Sequence, residues 1–575
     1  MFFLSFLKNY VIIEAEYMNT KDVIIIGAGL SGLTCSVKLA ESGNHVKLFS
    51  PSPPERAQSV MAMGGINAAL DNKGQNDTPS QHYTDTIKCG QEINNHKAVK
   101  KLTKNAPMII EWLSKIGTSL TRDENNNIDQ RYLGGQKKKR TVYAGARTGK
   151  QIITAINTMA RKYEHEHLIE RYNGWRFLSL ILNEDEECKG VTLINEITDK
   201  IKTFTSDTVV IATGGMNKVF GKTSGSQEND AGTTARLLLQ QIKLANLEMI
   251  QYHPTTIKTP AKNMIITEAA RGEGGRLYTI KDNQKWYFME EWYPEQAALM
   301  PRDIVSQSIY KVCNQYNLGI DGEDKVYLDV SFLPEETIQK SLDEVYDLCI
   351  KYLKLDPSKE PIPVYPGVHY FMGGILTDEN HKTSIKNLYA IGECSAQYHG
   401  ANRLGGNSLL GAIHGAFIAA EEINNHTTIS SPDKYKIREV LEKEENEYKH
   451  WKQHQSSDNI SSYKIASELA DIMNNALGIY RDEKTLKEKY KQLEQLESIE
   501  VYSHESYYEY VLIKSLIQLS KAFIISALER KESRGAHQRI EYPEKDEKYQ
   551  KTTVIQQVNN EYNISFNDTE EQMGW

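Results

Sequence analysis

An Ile- and Val-rich strand running into a glycine turn and a helix in "KDVIIIGAGLSGLTCSVKLAESGNHVKLFS", two further strand–glycine pieces at 208–215 and 385–423, and helix-periodic segments beyond residue 432 together predict an α/β protein. The predicted architecture is a split Rossmann-like dinucleotide domain with an inserted α+β capping domain, then a helical domain and an extended C-terminal tail. The two parts of the dinucleotide domain are expected at 18–253 and 369–425, the cap at 254–368, the helical domain at 426–539 and the tail at 540–575, with 1–17 an N-terminal extension.

Composition bounds what such a chain can do. It has 575 residues, 39% hydrophobic and 25% charged, the balance of a globular protein with a large core. Net charge is −8 and the one short basic run is "KKKR" at 137–140, so nucleic acid is not an expected partner. The six cysteines are scattered, without the C-x-x-C spacing that holds zinc or an iron–sulfur cluster. No metal site is therefore expected here, any cluster must lie on another chain, and dispersed reduced thiols suit a cytoplasmic setting. No apolar run approaches the roughly 20 residues that span a bilayer. The opening "MFFLSFLKNYVIIEAEY" is broken by Lys8 and Asn9 and lacks a basic start or a cleavage site, so it reads as a frayed extension with Met18 the more natural first residue.

The elements follow in order. Gly27, Gly29 and Gly32 have the G-x-G-x-x-G spacing between a strand and a helix, which allows a tight turn, close backbone approach to a pyrophosphate and close helix packing, with the helix N-terminus meeting the phosphate charge. The second strand ends at Ser50, where an acidic ribose ligand often stands, and this favours a permanently held FAD over a freely exchanging NAD. "TVVIATGG" is a buried strand ending in a glycine turn. In "IKNLYAIGEC" Glu393 is placed to accept ribose hydroxyls, and Ser408, Leu409 and Leu410 start a helix whose positive end would face the flavin pyrimidine ring. Segments 432–498 and 506–533 read as a helical bundle, and the region from 540 as a polar, poorly periodic, surface-hugging tail.

Six runs then stand in register from about residue 20 to 555: "QYHPT", "ITEAARGEGGRL", "MPRDIVSQSI", "VHYFMGG", "HGANRLGGNSLL" and "ESRGAHQRIEYPEKDEKYQKTT". In these the chain resembles the flavoprotein subunit of succinate dehydrogenase and fumarate reductase. "DNKGQNDTPSQHYTDT" and "WYFMEEWYP" are most similar to the branch found in bacterial quinone-linked complexes. L-aspartate oxidase and soluble fumarate reductases are closely similar flavoproteins, and a stand-alone oxidase is the main alternative.

The resemblance implies a C4 dicarboxylate substrate, fumarate or succinate, and such a dianion needs cationic donors at both ends. His253, His369 and Arg403, with the Thr267 hydroxyl, fall on the matching positions. It implies Arg302 of "PRD" as proton donor, resupplied through Glu268 and Arg271, which stand at i and i+3 in "TEAAR" and so share a helix face. Ser59, Gly64, Gly65, Thr213, Gly214 and Asp230 are implied as further FAD contacts. At the position where complex-type members carry a histidine linked to the flavin, this chain reads "AQSV", and Gln58 is not nucleophilic enough to form that bond. FAD is therefore expected to be noncovalent, with a lower potential that favours fumarate reduction. The implied partners are a separate iron–sulfur subunit and quinone-reactive membrane subunits, which would hold the chain at the inner face of the cytoplasmic membrane. A noncatalytic FAD-binding scaffold is disfavoured, because it has no need of the set Thr267, Glu268, Arg302, His369 and Arg403.

Overall fold

The computed structural model describes residues 20–260, 262–426, 433–455, 461–499 and 506–568. The reading of 1–17 as an extension lies outside these residues, as does the last stretch of the tail.

The first strand, β1 (Asp22–Ile26), turns through the glycines into helix α1 (Leu30–Glu41) and returns as β2 (His45–Ser50). β3 (Ile169–Asn173), β4 (Thr208–Ile211) and β5 (Leu388–Ala390) complete a five-stranded sheet of order β5-β4-β1-β2-β3, parallel throughout. β1, β4 and β5 are nearly continuous runs of buried apolar residues because helices or other sheets cover both faces, as parallel sheets require. Most of the third glycine's role is packing: a Cβ on Gly32 would lie 1.8 Å from the Gly27 carbonyl oxygen. α1 therefore reaches β1 only with glycine there.

Between β4 and β5 lies the cap. Its six-stranded sheet runs Asn263–Ile265, Ile250–Lys258, Ile362–Phe371, Val326–Asp329, Arg276–Lys281, Gln284–Trp286, antiparallel at each pair. Ile250–Lys258 and Ile362–Phe371 run through the boundaries read at 254 and 368, so both connections to the dinucleotide domain are continuous strands. Helix α2 (Arg302–Tyr310) packs on this sheet, and its own apolar core includes Leu277, Phe288, Val305 and Val364.

Helix α3 (Asn407–His426) then lies against α1. Four helices follow, at Lys434–Gln453, Ser462–Ala476, Glu483–Glu497 and α4 (Tyr507–Glu529), matching the helical periodicity. Two expectations need correction. α4 is 23 residues long and apolar enough, by length and composition, to cross a membrane, against the reading that no run nears that length; 78% of its apolar 18-residue window is buried inside the protein, so it is a core helix. The tail holds a β-hairpin, Thr552–Val558 with Glu561–Asn567, whose first strand pairs with Leu244–Ala245 in a mixed five-stranded sheet. Ile555 is fully buried there, and the alternation that marks a half-buried strand is interrupted by glutamines, which hid it.

Candidate active site

One cavity of about 1680 Å³, its open mouth included, runs along the carboxyl ends of β1, β2 and β4 and on under the cap. Gly27, Gly29, Ser50, Ser59, Gly64, Gly65, Thr213, Gly214, Asp230, Glu393, Ser408 and Leu409 line it, and so do His253, Thr267, Glu268, Arg302, His369 and Arg403. Of the residues expected at the site, Gly32 and Arg271 stand behind its wall, and Leu410 points into the core. Arg176, Tyr508, Leu133 and Tyr370 line it without having been foreseen.

The outer arm fits an FAD. Beside Gly29 the nearest protein atoms to a built Cβ are Ala57 Cβ at 3.8 Å and Ser59 Oγ at 4.0 Å, so space is left at the N-terminus of α1, where the Leu30 N–H makes a long bond to Ser59 Oγ (3.4 Å) and the N-cap glycine has no side chain to contribute. Such a terminus offers free N–H donors to a pyrophosphate. Burial pushes the Glu393 carboxyl up to about 7, and in the protein it accepts a bond from the Phe371 N–H (3.2 Å). Ribose hydroxyls would supply the donors it wants. Asp230 is already engaged by Arg176 (2.7 Å), the Tyr508 hydroxyl (2.8 Å) and the Gly232 N–H (2.8 Å), so it shapes this arm and has little left to offer a ligand. Gln58 opens a short 3-10 turn on the cavity wall, and its Oε1 is buried without a hydrogen-bond partner among the described residues.

The inner arm is cationic. Glu268 immediately precedes the short helix Ala269–Gly272 and receives Arg271 Nη2 on Oε1 (2.9 Å) and Arg302 Nη2 on Oε2 (2.9 Å). Burial alone would raise its pKa, but the two guanidinium groups hold it down at about 2. Arg302 Nη1 also donates to Gln251 Oε1 (3.0 Å), while Gln251 Nε2 donates to the Arg403 carbonyl (2.9 Å). Gln251 thus ties the two arginines of the chamber together, and sequence reasoning missed it. Its signal was available only in that it stands two before His253 in the same motif strand.

Across the chamber Arg403 lies over the Tyr370 ring (4.2 Å to its centre) and donates from Nη2 to His369 Nε2 (3.2 Å). That leaves the imidazole proton on Nδ1, which donates to Ser224 Oγ (2.8 Å). His253 sits at a bulge where Pro254 interrupts the ladder, and its ring meets that of His369 edge-on at 5.2 Å. Burial first, then the nearby arginines, pushes both histidines far below their ordinary value and keeps them neutral. Burial likewise lowers Arg403 to about 10. Arg302 and Arg403 thus face the inner arm, where Glu268 is the carboxylate of the lining and is already offset by Arg271 behind it, an arrangement that suits an anionic ligand.

A dinucleotide groove opening without a break into an arginine-lined chamber is the arrangement of a flavin-type oxidoreductase. The comparisons with known proteins agree. Residues 22–409 match the FAD binding domain family and residues 466–573 the fumarate reductase flavoprotein C-terminal family. The chain is 38% identical to the succinate dehydrogenase flavoprotein subunit of Bacillus subtilis, covering 94% of each, and 31% identical to the L-aspartate oxidase of Vibrio cholerae, covering 92% of this chain and 97% of that protein. Its structure superposes on the quinol fumarate reductase of E. coli with a TM-score of 0.88 at 27% identity, covering 96% of this chain and 97% of the other. The chain belongs to the family of succinate dehydrogenase and fumarate reductase flavoprotein subunits, FAD-dependent oxidoreductases acting on CH–CH groups.

Proposed function

We propose that this chain interconverts fumarate and succinate, with fumarate reduction favoured, as the flavoprotein subunit of a complex whose electrons pass through a separate iron–sulfur subunit and quinone-reactive membrane subunits. The observation that carries this reading is Glu268, held between Arg271 and Arg302 at one side of a chamber whose other side presents Arg403 and His369. FAD, held in the outer arm, would supply hydride transfer.

The chain's own residues would do the rest. Arg403 and the neutral rings of His253 and His369 bind and orient the two carboxylates, with the Thr267 hydroxyl. Arg302 Nη2 holds the proton destined for the substrate carbon. An arginine is a poor acid in water, and it serves here because that carbon becomes strongly basic as hydride arrives. Glu268 Oε2 accepts from Arg302 Nη2 and Oε1 from Arg271, so a proton can pass inward along Arg271, Glu268 and Arg302.

Gln58 supports a noncovalent FAD, with the lower potential that favours the reductive direction. A stand-alone L-aspartate oxidase is the second reading, supported by the relative of that name. The two are separated by assaying the FAD-loaded protein with reduced viologen and fumarate beside L-aspartate and oxygen. Fumarate turnover without aspartate oxidation is expected; rapid aspartate oxidation would overturn the first reading. In the cell the complex would sit peripherally on the cytoplasmic face of the membrane.

A further inference from the structure

Arg302 and Arg403 sit on two separate pieces of chain, at the start of α2 and in the loop before α3, joined inside the chamber by Gln251 and by the Asn402 Nδ2–Asp303 Oδ1 bond (2.7 Å), and a further piece grips both from outside. This is the turn around Gly535, which comes from beyond α4. The Ala536 N–H donates to the Ala401 carbonyl (2.9 Å), two residues before Arg403. Gln307, on the same helix as Arg302, donates from Nε2 to the Gly535 carbonyl (3.1 Å). Gly535 has a φ of +57°, and a Cβ there would lie 2.6 Å from the Ala401 oxygen and 2.8 Å from its Cβ. The loop is gripped from its other side as well, since the Ala401 N–H donates to the Gly90 carbonyl (2.9 Å) while Arg534 Nη1 holds the Gln91 carbonyl (3.0 Å).

The turn is itself immobilised by buried charge. Arg530 pairs with Glu248 (2.7 Å) and Glu532 (2.9 Å), and Arg534 pairs with Glu532 (2.8 Å). Arg481 donates to His537 Nδ1 (2.8 Å), and His537 Nε2 donates to the Arg530 carbonyl (3.0 Å). Buried ion pairs and hydrogen bonds of this kind are directional and tolerate little displacement. Gln307, by contrast, is half-buried and belongs to none of the apolar clusters, so its bond to Gly535 adds nothing to a core.

We propose that the Gly535 turn is a positioning brace: it spans the cap helix carrying Arg302 and the loop carrying Arg403 and, together with the Gln251 and Asn402–Asp303 links, sets the spacing between the two guanidinium groups and the length of dicarboxylate the site prefers. This rests on the reading of Arg302 and Arg403 as the groups facing substrate. A fork-shaped guanidinium must be held within about 0.5 Å of its productive position. A shift of the Ala401 loop therefore changes the fit of a four-carbon diacid differently from that of a three-carbon one.

The test measures dissociation constants of fumarate and malonate on oxidised, FAD-loaded protein, from the perturbation of the flavin spectrum. Wild type is compared with Gln307→Ala and Gly535→Ala, and FAD content and melting temperature are recorded for each. The ratio of the two constants is expected to move by about threefold to tenfold in Gln307→Ala, the scale of one lost hydrogen bond, and further in Gly535→Ala, with FAD content unchanged. A mere loss of stability would leave that ratio where it was. An unchanged ratio in Gln307→Ala overturns the brace, whether or not Gly535→Ala folds. A wild-type protein that binds neither diacid overturns the dicarboxylate reading instead.

Discussion

Glu268 is asked to be two things: a carboxylate buried to 2% exposure and an ionised one. Its guanidinium neighbours, Arg302 and Arg271 first, reconcile these. Arg302→Ala should lower turnover by at least about 10²–10⁴-fold, the usual contribution of a positioned acid, while FAD content stays near wild type; steady-state kinetics beside flavin absorbance checks this. Glu393 makes the opposite bargain. Its folded pKa of about 7 lies above the unfolded value of about 4.3, so it costs the FAD-free fold nothing at pH 4. The cost grows as pH rises through that window. Glu393→Gln should therefore raise the melting temperature of the FAD-free protein at pH 8, give no gain at pH 4, and weaken FAD binding at both, as thermal melts and FAD titration would reveal. Residues of this kind were legible in the sequence because each stands in a short motif whose neighbours fix its local geometry. Tyr508 was not: it reaches the cavity only because α4 packs against the segment after Asp230, and nothing within its own stretch encodes that contact.

Between one residue and a whole domain, the turn from β1 to α1 separates two uses of glycine that look identical in sequence. A methyl group on Gly32 collides with backbone at 1.8 Å, whereas on Gly29 it meets no protein atom within 3.7 Å. Gly32→Ala should destabilise the FAD-free protein by at least about 1–3 kcal/mol, the range for overpacking. Gly29→Ala should leave its melting temperature unchanged and instead raise the FAD dissociation constant. Thermal melts and flavin titration of the same two variants decide it, and equal behaviour would refute the distinction. The parallel sheet and the helical region were legible because long apolar or 3.6-periodic runs are local signals. The cap's two connecting strands, Ile250–Lys258 and Ile362–Phe371, cross the boundaries read from the sequence, the first through a bulge at His253–Pro254 that the ladder passes. The hairpin at 552–567 escaped because glutamines break the alternation of its first strand, and the pairing of that strand with Leu244–Ala245, some three hundred residues away, leaves no local signal.

At the scale of the whole molecule, the cavity belongs to the dinucleotide domain at one end and to the cap at the other, with arginines from both. The direction of catalysis is a property of this assembly with its flavin and of no single group, since an enzyme cannot alter the fumarate–succinate equilibrium. If Gln58 leaves FAD unlinked, acid precipitation should release all of it into the supernatant, and at matched driving force succinate oxidation should run slower than viologen-driven fumarate reduction. Flavin fluorescence retained by the denatured chain, or equal rates, would count against that.

The hairpin at Thr552–Val558 also has a temporal meaning. Thr553 donates to Glu248 Oε1 (2.6 Å) and its N–H to Asn246 (3.1 Å), beside strands laid down near the middle of the chain. During synthesis that middle portion emerges first and must wait, its buried Glu248 without Arg530 and then without Thr553, and its sheet edge open, until the ribosome has delivered the end of the chain. Chains stalled or clipped before residue 552 should thus accumulate as clients of chaperones and proteases, unable to serve as slow enzymes.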